Sequence, residues 1–363
     1  MRGRPFVQTH TAEAMASPPG RRQRPLVLLG RFQAECRMGE AKRSPLLRRQ
    51  SAPIQAVTVV GIGGIGGLIG ARLALRPPGD GRHLTFVARG PHLAAIRSGG
   101  LRLIRPDGSV ALARPDLATD RLEEAPAPDL AVLCVKSYDL DKAADQLAAV
   151  LRPSTVVLPL LNGADIRERL RARLRIGIVP PACIYVSARR AGPGTVEHIG
   201  GAGKIHLGPD PQVPAWDGSE LRAVLEVAGI PYQWHEDPTV AIWVKYMFIA
   251  PLALVTAAHG ADFGRVLSDP QLNAQARAVM EEIRRIADAR GVALPADIVE
   301  STLRTAGSFP PETRTSYQRD IESRARADEG DLYGGAILRL GAAHGVPTPV
   351  SAELSAAIAR LRA

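Results

Sequence analysis

From residue 54 onward, short apolar runs alternate with longer segments that have helical spacing. Residues 56–60, Ala-Val-Thr-Val-Val, are a β-branched run ending in glycines, the pattern of a buried parallel strand. Residues 64–75 are small and apolar and predict a helix. A second strand is predicted at 84–88 and a short helix at 92–97. Residues 101–104 and 110–113 flank Pro106-Asp107-Gly108, a turn signal that predicts a hairpin. A strand at 130–135, an amphipathic helix at 141–151, a strand at 156–161, a helix at 165–174 and a strand at 176–179 continue the alternation. This rhythm predicts an open, mostly parallel sheet with helices on both faces. Past Asp237 the pattern is helical only, with segments at 240–258, 271–290 and 297–305, one or two helices within 317–344, and a closing helix at 351–362. The predicted fold class is α/β followed by all-α. The chain divides into residues 1–52, 53–237 and 238–363. The apolar run 240–258 contains Lys245 and Pro251 and stands among amphipathic helices, so it reads as a core helix rather than a membrane span.

Composition changes this picture in one place. The 363 residues are 45% hydrophobic and 23% charged, ordinary for a soluble globular chain with apolar mass for two cores. The net charge is +10, yet residues 1–52 hold eleven Lys and Arg against three acids, so the rest of the chain is nearly neutral. The body therefore lacks the electrostatic footprint of a nucleic-acid binder, and 4% aromatics argue against a base-stacking platform. Residues 1–52 admit three readings: a disordered extension from an upstream start, with Met15 or Met38 as the working start; an Arg-rich targeting peptide; or a polyanion-binding arm. Cys36, Cys134 and Cys183 form neither a disulfide framework nor a paired metal motif, which points to a reducing compartment, the cytoplasm.

The chemistry starts at Gly61-Ile62-Gly63-Gly64-Ile65-Gly66. This Gly-x-Gly-x-x-Gly follows a predicted strand and opens a predicted helix, the context of a dinucleotide site. Gly61 suits the tight turn, Gly63 close approach to a pyrophosphate, and Gly66 close helix–strand packing. The end of the second strand, Val87-Ala88-Arg89-Gly90, carries no acid for a ribose hydroxyl, and Arg89 suits a 2′-phosphate, which points to NADP or NADPH. Lys136 and Asn162-Gly163 end later strands, at the sheet edge where such folds bind ligands. Lys245 stands in an apolar helix, where an ammonium is costly unless it is paired, snorkels or has a chemical role. Desolvation there would bring its pKa toward the range useful for proton transfer. Asp328, Glu329 and Asp331 are candidate carboxylate partners.

Taken together, the glycine loop, Arg89, Lys136, Asn162-Gly163, Trp243-x-Lys245, Thr315-Ser316-Tyr317-Gln318-Arg319-Asp320, Glu329-x-Asp331 and Gly345-Val346-Pro347-Thr348-Pro349 resemble the ketopantoate reductase (2-dehydropantoate 2-reductase) family, from about Ile54 to the C-terminus. The resemblance implies an N-terminal Rossmann-type dinucleotide-binding domain followed by a helical domain. It implies NADPH reducing a small 2-oxo acid, ketopantoate, in pantothenate and coenzyme A synthesis. Carried over by residue, Lys245 is the proton donor, and Glu329 orients it and touches substrate. Ser316 contacts the substrate carboxylate, and Lys136 and Asn162 lie beside nicotinamide and substrate. Reaching Glu329 takes a one-residue insertion between Asp320 and Ala327, which keeps Asp328 as a rival. Where the family often has Asn one and two helical turns past the lysine, this chain has Ile249 and Ala253. Two alternatives stand beside the leading one: a reductase of a more apolar 2-oxo acid, and a catalytically silent NADP sensor. Neither a nucleic acid nor a membrane is an expected partner, no metal is expected, and a homodimer is compatible with the reading.

Residues 1–52 cannot bury enough apolar surface to offset their ordering entropy. A chain beginning at Pro53 should therefore be soluble, fold and keep full activity. Insolubility or loss of turnover would make the segment part of the fold.

Overall fold

In a computed structural model, the chain is described over residues 53–77, 79–323 and 327–362. The readings of residues 1–52 lie outside the described residues. The first half runs β1 (Ala56–Val60), α1 (Gly64–Ala74), β2 (His83–Val87), α2 (Gly90–Gly99), β3 (Leu101–Ile104), β4 (Val110–Ala113), β5 (Leu117–Thr119), β6 (Leu130–Leu133), α3 (Leu140–Ala148), β7 (Val156–Pro159) and α4 (Ile166–Arg173). Five of these strands form an all-parallel sheet in the order β5-β2-β1-β6-β7. Both faces are buried, which is why the strands read as continuous apolar runs. Successive residues serve opposite cores: Leu130 and Val132 of β6 face one, Ala131 and Leu133 the other.

A second sheet covers α1 and was not legible in the strand–helix rhythm. Strands β8 (Ala182–Gly192) and β9 (Thr195–Leu207) form a long antiparallel hairpin, and the sheet runs β10-β9-β3-β4 with β10 at Tyr232–Trp234, reached through helix α5 (Ser219–Val227). The predicted hairpin at 101–104 and 110–113 forms with those bounds, but joins this second sheet through β3 and β9. The helix α1 tolerates a sheet laid against it because its glycines leave room. A Cβ on Gly64 would strike the Ala188 carbonyl, and one on Gly67 would strike the Val196 side chain. The strand expected at 176–179 is corrected. Only an isolated bridge joins Ile178 to Val156, because Gly177 sits at φ 87° and Pro180-Pro181 removes the next two donors.

The second half is helical: α6 (Thr239–His259), α7 (Phe263–Ser268), α8 (Pro270–Ala289), α9 (Ile298–Gly307), α10 (Ser316–Glu322), a π-helical turn at Asp331–Gly335, α11 (Ala336–His344) and α12 (Pro349–Arg362). Helix α6 has a mean hydropathy of 1.8 over its most apolar stretch, enough by length and composition for a membrane span, and 67% of that stretch is buried inside the fold. Its Trp243, Tyr246 and Met247 share one core with Val60, Ala131, Leu133 and Val157 of the parallel sheet. Ion pairs cross the same junction: Arg169 with Asp331 at 2.7 Å, Arg339 with Asp165 at 2.9 Å and Arg290 with Glu168 at 2.6 Å. One core thus continues from the sheet into the helices, and ion pairs span the junction between them.

Packing is tight under the glycine loop. A Cβ on Gly66 would collide with the Gly61 carbonyl and approach the Cys134 side chain to 2.9 Å. Gly66→Ala should destabilise the chain by ~1–3 kcal/mol, the usual cost of overpacking, seen as a lower denaturant midpoint at unchanged slope. An unchanged midpoint would contradict this packing.

Candidate active site

The glycine loop sits at the carboxyl edge of the parallel sheet and floors a groove of about 290 Å³. Gly61 holds φ at 91°, a left-handed conformation, with its absent side chain facing the Val135 amide nitrogen at 2.9 Å. A Cβ on Gly63 would meet nothing within 4 Å, so the backbone there is open to a ligand. Gly63 is also the N-cap of α1 and supplies no side-chain acceptor to the first N–H groups of the helix. These are features of an anion seat at a helix start. Of the expected loop residues, Gly61, Ile62 and Gly63 line the groove, whereas Gly64 and Gly66 serve close packing and Ile65 packs against the core. Arg89 is the N-cap residue of α2 and lines the same groove, with its guanidinium 2.7 Å from Asp139.

On the helical side, Lys245 is 7% exposed, and its Nζ donates to Asn162 Oδ1 at 2.7 Å. It lies 5.7 Å from the centroid of the Tyr185 ring, whose negative face favours the cation. Burial pushes the Lys245 pKa down to about 8, and the nearby Cys183 opposes this more weakly. Asn162 is held in turn by donating from Nδ2 to the Tyr333 hydroxyl at 3.4 Å. Tyr333 belongs to the π turn, and its own pKa is pushed up to about 12 by burial. The adjacent Tyr246 donates its hydroxyl to the carbonyls of Leu332 and Tyr333 at 3.0 and 2.9 Å. Lysine helix, asparagine loop and π turn are thereby tied into one rigid unit. Ser316, the first residue of α10, is exposed, with its side chain in hydrogen-bonding reach of the Tyr333 hydroxyl.

The expected pairing of Lys245 with Glu329 is corrected. Glu329 is buried, and its Oε2 accepts from Lys136 Nζ at 2.5 Å, while Asp320 meets the same ammonium at 3.2 Å. For Lys136, burial works downward, but attraction from Glu329 and Asp320 outweighs it and raises the pKa. Asp328 accepts from the Gly330 amide at 2.6 Å and pairs with Arg362, and Asp331 pairs with Arg169 and Arg339. None of the three candidate carboxylates holds Lys245. Two lysines converge on the cleft from opposite walls, and chain order cannot say which of them a distant acid will reach. Asn162 was expected at the site but not as the lysine's partner. Tyr185 and Tyr333 were missed, although Gly334-Gly335 after Tyr333 is a signal for an irregular helix.

The model of ketopantoate reductase PanE/ApbA matches residues 57–212, and that of its C-terminal part matches residues 239–362. The chain belongs to the ketopantoate reductase family. It is 31% identical over 333 residues to a 2-dehydropantoate 2-reductase of Mesorhizobium japonicum, covering 84% of this chain and 97% of that protein. It is 30% identical to another from Halobacterium salinarum, covering 82% and 96%. The crystal structure of a PanE/ApbA family ketopantoate reductase from Ralstonia eutropha JMP134 superposes with a TM-score of 0.76 at 30% identity, covering 85% and 98%. The chain is therefore an oxidoreductase acting on a CH–OH group, with a small keto acid as substrate. The family's nucleotide-binding fold implies a nicotinamide cofactor, and the open Gly63 backbone, the uncapped α1 start and Arg89 fit one.

The separation of the two lysines makes a kinetic prediction. The pH dependence of kcat/KM reports groups of the free enzyme. In Glu329→Gln its alkaline limb should stay where the wild type has it. A downward shift of about one unit, worth ~1.4 kcal/mol, would put the carboxylate beside Lys245 instead.

Proposed function

We propose that the chain reduces 2-dehydropantoate to pantoate with NADPH in the cytoplasm, with Lys245 as the proton donor. The observation that carries this reading is the buried Lys245 ammonium, held on the neutral oxygen of Asn162 with no carboxylate partner among the described residues. The reduced nicotinamide, when bound, supplies the hydride to C2. The carbonyl oxygen becomes negative as that bond forms, and Lys245 Nζ gives it a proton, leaving a neutral amine that takes a proton back from water. A lysine with its pKa near 8 is a better donor at neutral pH than an ordinary one, and in a dry site its charge acts at nearly full strength. Asn162 aims the Nζ. Lys136 stays cationic, and with Glu329 and Ser316 it offers the charge and hydrogen bonds that hold a hydroxylated carboxylate. Gly61, Ile62 and Gly63 would seat the pyrophosphate, and Arg89 would turn from Asp139 to the 2′-phosphate.

A second reading has its own observation. Phe248 and Ile249 lie three and four residues past Lys245, on its side of α6. Phe248, Phe263 and Phe309 form an aromatic cluster with ring centroids 5.6–6.3 Å apart. Apolar residues in these positions past the lysine favour a 2-oxo acid with a more apolar side chain.

Lys245→Ala should cut turnover by ~10²–10⁴-fold at nearly unchanged NADPH affinity. Near wild-type turnover would leave Lys245 without a chemical role. A panel of 2-oxo acids, followed by NADPH oxidation, decides the substrate. The highest kcat/KM on 2-dehydropantoate supports the first reading, and the highest on an aliphatic or aromatic 2-oxo acid the second. Arg89→Ala should weaken NADPH by roughly 10–150-fold, the range for a charge-assisted hydrogen bond, with NADH little changed. Equal losses would give Arg89 another role.

A further inference from the structure

Arg190 stands on the β8–β9 hairpin and makes no ion pair among the described residues, whereas the neighbouring Arg189 pairs with Glu197. The hairpin is fastened at two points. Ala188 and Arg189 abut Gly64 at the start of α1. Near the start of α2, the Gly194 amide donates to His92 Nδ1 at 3.0 Å, and a Cβ on Gly194 would lie 2.9 Å from that of Ala95. Arg190 is therefore held between the two helix starts. It lines the glycine-loop groove with Arg89, and with Arg89 and His92 it also lines an adjoining basin of about 370 Å³ whose walls carry no acidic residue.

His92 fixes the wall of this basin against the hairpin. The ring is 5% exposed, and its Nδ1 accepts from the Gly194 amide, which fixes its orientation. Burial and the nearby Arg190 charge lower its pKa, against the smaller opposing effect of backbone hydrogen bonds to Gly192 and Ile62. Arg89 is already shared with Asp139. A phosphate monoester carries about −1.5 to −2 charges at neutral pH, more than one partly neutralised guanidinium matches. An unpaired second guanidinium beside an acid-free basin is the complement such a group needs.

We propose that Arg190 is a second guanidinium for the 2′-phosphate of NADPH, closing on it from the hairpin while Arg89 holds it from the start of α2. This rests on the NADPH reading above.

The test is the dissociation constants of NADPH and NADH for the full chain and for Arg190→Ala and Arg190→Lys, by fluorescence titration at two salt concentrations. Arg190 is exposed, so both variants should keep the wild-type melting temperature. Arg190→Ala should weaken NADPH by roughly 10–150-fold, leave NADH unchanged and flatten the salt dependence of NADPH binding. Arg190→Lys should recover part of the loss. A wild-type chain with no preference for NADPH would overturn the NADPH reading itself. A wild-type preference that survives intact in Arg190→Ala would overturn only the role of Arg190. Equal weakening of both cofactors would assign Arg190 to the pyrophosphate and overturn the proposal as well.

Discussion

An ammonium withdrawn from water is the constraint around which the rest of this structure is arranged. Moving the Lys245 pKa from its ordinary 10.5 to about 8 corresponds to a penalty of roughly 3 kcal/mol at ~1.4 kcal/mol per unit. Helix α6 offsets it by burying Trp243, Tyr246 and Met247 against the sheet face and by sealing the π turn through the Tyr246 hydroxyl. A neutral Asn162 oxygen satisfies the Nζ without restoring the charge stabilisation that a carboxylate would give. The site thus keeps its donor acidic by withholding a counter-ion.

The second lysine shows the opposite solution a short way off. Lys136 is surrounded by Glu329 and Asp320, and their attraction holds it charged against the effect of burial. One cleft therefore contains a lysine made easy to deprotonate and a lysine made hard to deprotonate. Environments that push like groups apart in pKa divide the labour between them: in the proposed reaction Lys245 would move the proton and Lys136 would provide standing charge. Because Glu329 comes from the helical half and Lys136 from the sheet half, the same pair also ties the cleft's two walls together.

Much of this was legible in the amino-acid order. The β1–glycine loop–α1 unit was readable because strand, loop and helix follow one another within twenty residues and each glycine has a local steric reason. Lys245 was readable because a charge inside an apolar helix is anomalous on any reading. The second sheet was not, since the β8–β9 hairpin is half exposed and rich in glycine, so its alternation is weak and its pairing with β3 bridges a long stretch of sequence. The partner of Lys245 was not legible either. The sequence offered three acids near the end of the chain, and only three-dimensional packing sends Glu329 to Lys136, Asp328 to Arg362 and Asp331 to Arg169 and Arg339. The pattern of residue types names the groups at this site, while the pairing among them depends on how the sheet and helical halves meet.

The central claim is that burial on a neutral partner, with no carboxylate, sets the acidity of Lys245. An NMR titration of isotope-labelled lysine in the cofactor-free chain, with the signal assigned by its loss in Lys245→Met, tests it most directly. The account predicts a midpoint near 8 for this one resonance. A midpoint at the ordinary lysine value of 10.5 would contradict it.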